Sequence, residues 1–379
     1  MKKLKNIVMI GPVYPYKGGI SHYTCLMYRA LREKFNIRMI SYSMQYPKFL
    51  FKKEQKDYGN KSFKIDEAKY FINTANPLSC ISSALTIRSM TPDLVIFQWW
   101  HPYFAPCYWI MEKVLGRKIK KMFVCHNVFP HERFPMDKFL TRMALRGGDY
   151  FITHSEQDSE DLSSIKRNAV YAHTVLPTFN VFKLKGMTES EARKILNIRS
   201  EEKMLLFFGF VREYKGLRYI IEALPEIISS IGNVKLYIVG DFGDDKEKYL
   251  NQISKLKVES YIEIVDGYTP DDEVEKFFMA SDLVILPYES ATQSAIVQTA
   301  YGFEIPVVVT NVGGLPEVVE DGKTGYVVET KNAHALAEAV ETYFKGDKKK
   351  EFQDNIRKKA YQYSWDKMVN VINELNTKR

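Results

Sequence analysis

Cysteine is scarce in this sequence. The four cysteines (Cys25, Cys80, Cys107 and Cys125) form no CxxC pair, so the spacing predicts neither a disulfide framework nor a thioredoxin-like motif. Reduced thiols in the core of a cytoplasmic protein are the expectation. The grouping of Cys125, His126 and His131 lacks the spacing of tetrahedral zinc ligands, and we expect no metal there.

Long apolar runs are also missing. The longest apolar stretch, residues 103–111, contains Pro106 and is far shorter than the roughly 20 residues that span a bilayer. At the start of the chain, lysines precede the apolar residues 7–10, which Gly11 and Pro12 then interrupt. This pattern predicts a first β-strand rather than a signal peptide.

The net charge of +8 is unevenly distributed. Residues 1–185 hold 29 Lys and Arg against 14 Asp and Glu, whereas residues 186–379 hold 25 against 32. A basic first half favours an anionic partner. No nucleic-acid recognition motif accompanies the charge, so an anionic membrane surface or an acidic lipid-linked substrate is the better candidate. Ordinary solvated lysines are the alternative.

An aromatic segment in the first half would suit peripheral membrane docking. The alternative is that these aromatics pack in the core or line an acceptor groove. The residues are Phe97, Trp99, Trp100, Tyr103, Phe104, Tyr108 and Trp109.

Apolar runs alternate with helical patterns along the whole chain. The runs are continuous, as in parallel strands buried on both faces. Two serial βα arrays predict an α/β protein with two doubly wound Rossmann-like domains facing a cleft. The expected domains are residues 1–180 and 188–355, and a C-terminal helix over residues 356–379 is expected to pack back on the first. Strands are predicted over residues 6–10, 37–42, 94–98, 122–126, 150–153, 170–176, 203–208, 234–239, 261–265, 283–286, 307–310 and 326–328, and helices over 20–35, 137–146, 217–231, 245–257, 270–279 and 333–344.

The first strand leads into a glycine-rich loop. Gly18 and Gly19 stand immediately before a helical pattern. Glycines permit close backbone approach, and a helix N-terminus offers free N–H groups to an anion. The loop fits neither a P-loop nor a dinucleotide-binding fingerprint, and a purely structural turn is the alternative.

A second loop, residues 208–216, follows the first strand of the second half. Arg212 and Lys215 precede a helix predicted to begin near Gly216. Two cations and a helix N-terminus suit a departing diphosphate, because its negative charge grows as the glycosidic bond breaks. Solvated cations in a surface loop are the alternative.

A third loop, residues 286–296, is small and rich in hydroxyls. Thr292 or Ser294 is expected to cap the following helix, which leaves the N–H groups of Ser294, Ala295 and Ile296 for phosphate. The alternative is that these side chains only cap the helix and that the loop binds no phosphate. Beyond it, Gly313 and Gly314 precede a helix with Pro316 in its first turn and are expected to shape the site.

In combination and in this order, these loops resemble the retaining glycosyltransferases of family 4, which have the GT-B fold. The resemblance covers essentially the whole chain and is strongest over residues 205–330. Its motifs are Gly18-Gly19, Arg212-x-x-Lys215-Gly216, Pro306-Val-Val, Gly313-Gly314-Leu-Pro316-Glu317, Glu320-Asp-Gly-Lys-Thr-Gly325 and Tyr363-Ser-Trp365.

The resemblance implies a role for each motif. Arg212 and Lys215 would hold the donor diphosphate, which Gly18 and Gly19 approach from the opposite domain. Family members usually need no metal, and no DxD triplet occurs here. The remaining implied contacts are Gly209, Gly240, Asp241 and Tyr268 on the nucleotide side, His126 facing the transferred sugar, and Trp100, Asn127 and His131 on the acceptor side. For His126, a structural role in its loop is the alternative.

One departure from the family pattern concerns donor recognition. Family members usually carry two glutamates eight positions apart, but those positions are Ala291 and Thr299 here. Glu289 is a weak candidate to replace the first, and Glu304 stands where a glycine is expected.

The sequence therefore predicts a metal-independent, cytoplasmic hexosyltransferase of the retaining type, a variant without the paired glutamates. It would move a sugar from a nucleotide-diphosphate sugar to a glycan or lipid-linked acceptor. A catalytically degenerate nucleotide-sugar or glycan-binding protein and a sugar-nucleotide epimerase are the alternatives.

Overall fold

The computed structural model describes residues 4–51, 54–59, 61–130, 133–179 and 182–377. Its contacts divide the chain into two compact units, one made of Met1–Val175 with Ser364–Arg379 and the other of Leu176–Tyr363. The predicted domain junction, residues 180–188, lies a few residues beyond the first division. The predicted start of the last segment, residue 356, lies before the second.

The first unit is built on one parallel sheet with the strand order β3-β2-β1-β4-β5-β6-β7. Its strands are β1 Asn6–Ile10, β2 Asn36–Met44, β3 Lys69–Asn73, β4 Leu94–Trp99, β5 Lys120–Cys125, β6 Tyr150–Thr153 and β7 Val170–His173. The chain reverses its direction of travel across the sheet between β1 and β4. In doubly wound sheets such a switch point opens a crevice at the carboxyl ends of the strands.

Apart from the connection between β2 and β3, helices connect these strands, as is usual for parallel strands. They are α1 Gly19–Arg32, α2 Pro77–Ser89, α3 Ala105–Leu115, α4 Asp137–Leu145 and α5 Glu156–Ile165, and α14 Trp365–Thr377 belongs to the same unit. Contacts between α1 and α14 hold the end of the chain on this unit. The part of the chain from Ser364 onward therefore belongs to the first unit.

The second unit repeats the plan with the strand order β10-β9-β8-β11-β12-β13, again all parallel. Here the switch point lies between β8 and β11. Its strands are β8 Lys203–Phe208, β9 Val234–Gly240, β10 Ile262–Asp266, β11 Leu283–Leu286, β12 Val307–Thr310 and β13 Gly325–Val328. Its helices are α6 Glu189–Ile195, α7 Leu217–Ile231, α8 Lys246–Leu256, α9 Asp271–Ala280, α10 Ala295–Gly302, α11 Leu315–Val318, α12 Ala333–Lys345 and α13 Lys349–Lys358.

Two doubly wound, Rossmann-like units are thus confirmed. Within the ranges given above, no helix combines the length and the apolar composition needed to cross a bilayer.

The aromatic segment corrects one expectation. Trp99, Phe104 and Tyr108 are fully buried, as is Phe97, and they pack in the core of the first unit. Trp100 and Tyr103 are half-buried against that core, and only Trp109 is exposed. The segment as a whole therefore does not form a membrane surface, because every ring except that of Trp109 already packs in or against the core.

Candidate functional site

In the second unit, the two predicted cations lie together in the loop between β8 and α7. Arg212 is exposed and Lys215 is half-buried. Desolvation, and secondarily the positive charge of Arg212, lowers the pKa of Lys215 to about 8. A cation so perturbed by burial and a like charge is typical of a site that receives an anion.

Neither cation is neutralised by the protein. Across the ranges that the structure describes, no carboxylate lies within ion-pair distance of Arg212 or Lys215. Nearby acids are engaged elsewhere: Glu213 pairs with Arg218 and with Lys248, and Glu289 pairs with Arg218 at 2.5 Å and with Lys331 at 3.1 Å. The loop therefore presents two positive charges for an external anion.

Backbone hydrogen bonds hold the surrounding loops in place at the carboxyl edge of the sheet. The N–H of Val211 donates to the carbonyl of Asp241 at 2.9 Å, and the N–H of Glu289 donates to the carbonyl of Tyr214 at 2.6 Å. Farther along the edge, the N–H of Gly314 donates to the carbonyl of Thr292 at 2.9 Å. Four loops, after β8, β9, β11 and β12, are thereby connected. A preorganised edge of this kind needs little rearrangement when a ligand binds.

Glycines allow two of these loops to touch. A Cβ at residue 240 would lie 1.9 Å from the carbonyl oxygen of Gly209, so only glycine fits at the end of β9. Gly209 itself has φ 109°, and a Cβ there would lie 3.2 Å from the Nζ of Lys215. The predicted residues Gly209, Gly240 and Lys215 are therefore neighbours, and the absence of side chains at the glycines leaves room beside the ammonium group.

The loop between β11 and α10 corrects the capping expectation for Ser294. Ser294 is the N-cap residue of α10, but its side chain makes no capping hydrogen bond. The Ser294 side chain instead bonds to Tyr288, whose ring lies 5.7 Å from the Nζ of Lys215. Ile296 also reaches the space beside Gly209. The start of α10, including Ala295, thus lies close to the lysine.

The positions of the missing glutamates are occupied by small side chains. Ala291 is buried with its carbonyl against Gly313, and Thr299 is buried with its hydroxyl donating to the carbonyl of Ala295 at 2.9 Å. The carboxylate of Glu289, the candidate replacement for the first glutamate, forms ion pairs with Arg218 and Lys331. Glu304 has φ 63°, the left-handed backbone for which glycine is the usual residue.

Two further predicted residues lie on the β9 and β10 side. Asp241 directly follows β9, and its carboxylate accepts the N–H of Gly243 at 2.8 Å. Tyr268 lies in the loop after β10 and is 36% exposed, so its ring is accessible.

In the first unit, the predicted residues follow three strands around the switch point. Gly18 is the N-cap of α1 with φ 102°, and Gly19 is the first residue of that helix. Trp100 follows β4 and donates its indole N–H to the hydroxyl of Tyr46 at 3.0 Å. Asn127 follows β5 and is half-buried, whereas His131 lies outside the described residues.

His126 directly follows β5, one residue beyond the observed end of the strand, and is half-buried. Its Nε2 lies 2.8 Å from the Oε1 of Gln98, and its ring meets the edge of Tyr23 at a centroid distance of 4.6 Å. Burial, with His154 as the second cause, lowers the pKa of His126 well below its usual value. Gln98 and Tyr23 were missed from the sequence. The only signal was a glutamine inside a continuous apolar strand.

Among the residues that the structure describes, no cluster of three His, Cys, Asp or Glu side chains has the geometry of a metal site.

Solved structures identify the class of fold. The chain aligns over 98% of its length with sucrose-phosphate synthase from Thermosynechococcus elongatus, with a TM-score of 0.74, 14% identity and 98% of that chain covered. It aligns equally far with HepE of Anabaena solved in complex with UDP, with a TM-score of 0.73, 18% identity and 99% of that chain covered. The architecture is thus the two-domain GT-B fold.

Sequence comparisons point to a particular family. Residues 188–363 match the model for glycosyl transferases group 1. An uncharacterized glycosyltransferase of Methanocaldococcus jannaschii is 30% identical over 179 residues, which are 47% of this chain and 45% of that protein. N-acetyl-alpha-D-glucosaminyl L-malate synthase of Bacillus anthracis is 24% identical over 239 residues, 62% of this chain and 61% of that protein. The chain thus spans about half the length of the curated relatives that it matches.

Proposed function

We propose that this protein is a retaining hexosyltransferase that moves a sugar from a nucleotide-diphosphate sugar to a hydroxyl of a glycan or lipid-linked acceptor. The observation that carries the proposal is the pair Arg212 and Lys215, two neighbouring cations without a carboxylate partner in the described structure. The match of residues 188–363 to group 1 glycosyltransferases supports it.

In this proposal the second unit binds the donor. Arg212 and Lys215 bind the diphosphate, and the N–H groups at the start of α10, from Ser294 to Ile296, donate to it. Asp241 and Tyr268 lie on the nucleotide side, with Gly209 and Gly240 leaving room for it. The first unit contributes Gly18 and Gly19 toward the diphosphate, and Trp100, Asn127 and His131 toward the acceptor.

The chemistry follows from charge. When the bond between the sugar and the phosphate breaks, negative charge grows on the leaving diphosphate, and the two cations stabilise it. This pair would supply the positive charge for which other transferases use a divalent cation. The acceptor hydroxyl attacks from the side that the leaving group vacates and passes its proton to a leaving-phosphate oxygen, which retains the anomeric configuration. His126 faces the transferred sugar.

The test is a nucleotide screen with matched variants. Thermal unfolding is measured with UDP, GDP, ADP and their sugars, because a ligand that binds only the folded state raises the apparent stability. Arg212→Ala and Lys215→Ala should abolish the shift and lower turnover by about 100-fold or more. Lys345→Ala, which removes an exposed lysine paired with Glu341 on α12, is the control. Normal shifts in both site variants would reject the proposal.

The buried Ala291 and Thr299 favour one rival, a degenerate protein that binds nucleotide sugars without turnover. Tight binding with no product across a broad acceptor panel would establish that rival. An epimerase would convert the donor without any acceptor, which a donor-only product assay detects.

We also propose peripheral contact of this cytoplasmic protein with an anionic membrane, through a surface other than the aromatic segment. On α2, Leu78, Ile81 and Leu85 form an exposed apolar face, with Leu78 74% and Leu85 52% accessible. The exposed residues 49–51 lie close to the start of this helix. Phe51 stacks on Tyr46, and Tyr46 contacts Tyr103. The hydroxyl of Tyr103 is hydrogen-bonded to that of Thr74, three residues before the helix begins.

The charges around this face support the proposal of an anionic membrane as its partner. No acidic residue occurs in α2, and Arg88 lies near its end. Lys48 adjoins the exposed loop, and Lys113 lies beside the exposed Trp109 on the neighbouring α3. Apolar side chains bordered by cations suit an interface of anionic lipid.

A further inference from the structure

A fully buried glutamine lies beside the histidine that is expected to face the sugar. Gln98 is near the end of β4, and His126 follows β5, the neighbouring strand in the sheet. Gln98 is 0% exposed. A buried amide without partners would be costly, so the contacts of this amide indicate why it is there.

The surroundings fix which way the amide points. On one side it faces the Sδ atoms of Met9 at 3.6 Å and Met27 at 3.4 Å, and on the other the Nε2 of His126 at 2.8 Å. Thioether sulfurs are weak acceptors, so the NH₂ group belongs on their side. The amide oxygen then faces His126 and can only accept a hydrogen bond.

That orientation determines where the imidazole carries its proton. Because Gln98 accepts, Nε2 of His126 must donate, and in the neutral ring Nδ1 is then an acceptor. Burial keeps the ring neutral by lowering the pKa of His126. No described residue forms a hydrogen bond with Nδ1.

The backbone is built around this contact. A Cβ on Gly11 would lie 2.6 Å from the Cγ of Gln98, so the glycine at the end of β1 makes room for the amide. The N–H of His126 donates to the carbonyl of Trp99 at 2.8 Å, which fixes the main chain of the histidine to β4. On the far side, the edge of Tyr23 packs on the imidazole, and Trp365 from the end of the chain packs on Tyr23 at 5.1 Å.

We infer that Gln98 is a positioning residue, which holds His126 as the neutral Nε2–H tautomer so that Nδ1 accepts a hydrogen bond from a hydroxyl of the transferred sugar. The inference rests on the proposed function for its sugar, but the tautomer and its cause belong to the first unit alone. His126 acts here as an acceptor rather than as a general base, since a strongly lowered pKa makes it a poor base.

Nuclear magnetic resonance of the full chain labelled with ¹⁵N-histidine tests the arrangement. The wild type should show a slowly exchanging Nε2 proton that disappears in His126→Phe. Gln98→Met, which keeps the length of the side chain but removes the acceptor, should lose this proton resonance. Gln98→Glu should keep the resonance and raise the pKa of His126, because a carboxylate favours the charged ring.

Two further variants distinguish positioning from general damage. Gly11→Ala should reproduce the Gln98→Met spectrum, since its Cβ displaces the amide. Gln157→Met, an exposed glutamine on α5, should leave the histidine spectrum unchanged. With UDP-glucose as the probe, Gln98→Met should lower kcat at least about tenfold, while donor KM stays near normal, as expected when a group that orients a histidine is lost.

The two proposals fail separately. A wild-type His126 protonated on Nδ1, or a Nε2 proton that survives in Gln98→Met, would overturn the role of Gln98 even if UDP binds as proposed. Absence of nucleotide binding would instead reject the transferase proposal, and the histidine spectra would still decide the tautomer.

Discussion

Lys215 lies so close to Arg212 that the charge of the arginine contributes to lowering the pKa of the lysine to about 8. Desolvation is the larger cause. Two cations are therefore kept together at a cost to the unliganded protein, and an anion that binds between them would remove that cost.

Lys215→Met should stabilise the unliganded protein while abolishing nucleotide binding. A half-buried charge is replaced by an apolar side chain of similar length, so the melting temperature should rise by about 2–4 °C. Differential scanning calorimetry with and without UDP measures both effects. Lys345→Met is the matched control, because its ammonium group is largely exposed. A lower melting temperature in Lys215→Met than in the wild type would contradict the claim that the ammonium group of Lys215 destabilises the unliganded protein.

Affinity for UDP should fall as the pH rises through about 8. Below that pH Lys215 is protonated in the free protein and attracts the diphosphate, and above it an increasing fraction is neutral. Bound diphosphate raises the pKa of the lysine, so binding takes up protons near pH 8. Calorimetric titration in buffers of different ionisation enthalpy measures this uptake. An affinity that stays constant from pH 7 to 9, or that Lys215→Met leaves equally dependent on pH, would contradict it.

As the pH rises above 8, the affinity for UDP should fall, whereas the contribution of Lys215 to the stability of the unliganded protein should increase. Because the folded pKa of Lys215, about 8, lies below the unfolded value near 10.5, the unfolded chain binds more protons between these pH values. The contribution of this residue to the free energy of unfolding should therefore rise from pH 8 to pH 10. Subtracting the unfolding curves of Lys215→Met from those of the wild type isolates it. A difference that does not vary over this window would exclude the shifted pKa.

Glu304→Gly should leave the protein equally stable or more stable, by up to about 1 kcal/mol. At φ 63° the backbone of Glu304 is in the left-handed region, which is sterically unfavourable for a residue with a Cβ but not for glycine. The ion pair with Arg357 that is lost is half-exposed and contributes little. Glu304→Ala loses the same ion pair without gaining the backbone freedom and is the control. Urea unfolding compares the two variants, and equal losses of stability in both would contradict the backbone argument.

Replacing Leu78, Ile81 and Leu85 together by serine should weaken binding to vesicles of phosphatidylcholine and phosphatidylglycerol. The change removes the exposed apolar face of α2 without touching its buried side, so the fold and UDP binding should persist. Sedimentation with vesicles, with pure phosphatidylcholine as the uncharged comparison, measures the effect. The control variant is Phe139→Ser, which changes an exposed aromatic residue on α4. Wild-type protein that binds neither kind of vesicle would end the membrane proposal.

Continuous apolar strands and the order of elements were determined by the sequence alone. The strands β11 and β12 are buried along their whole length and β8 is buried except at its two end residues, so their patterns can be recognised without knowing their neighbours. The helices α7 and α12 were predicted within a residue of their bounds, because each has a clear apolar stripe. The loops after β8 and β11 could also be predicted, since cations and glycines follow the first of these strands and a group of hydroxyl side chains follows the second.

Elements without a local pattern were missed. The edge strand β3 is largely exposed, and α2 carries apolar residues on both its buried and its exposed sides, so neither has the expected periodicity. The aromatic segment was ambiguous for a related reason, because a ring in the core and a ring at an interface look alike in a sequence.

The sequence by itself determined two βα arrays, the order of their strands along the chain and the glycine and cation loops. Only the tertiary structure decided which of these groups meet. Gln98 and His126 are joined by the pairing of β4 with β5, Gly240 touches Gly209 across adjacent strand ends, and no carboxylate forms an ion pair with Lys215 in the described residues. Local patterns record whether a residue is buried, whereas sheet order and register select its neighbours, and the neighbours set its pKa and its tautomer.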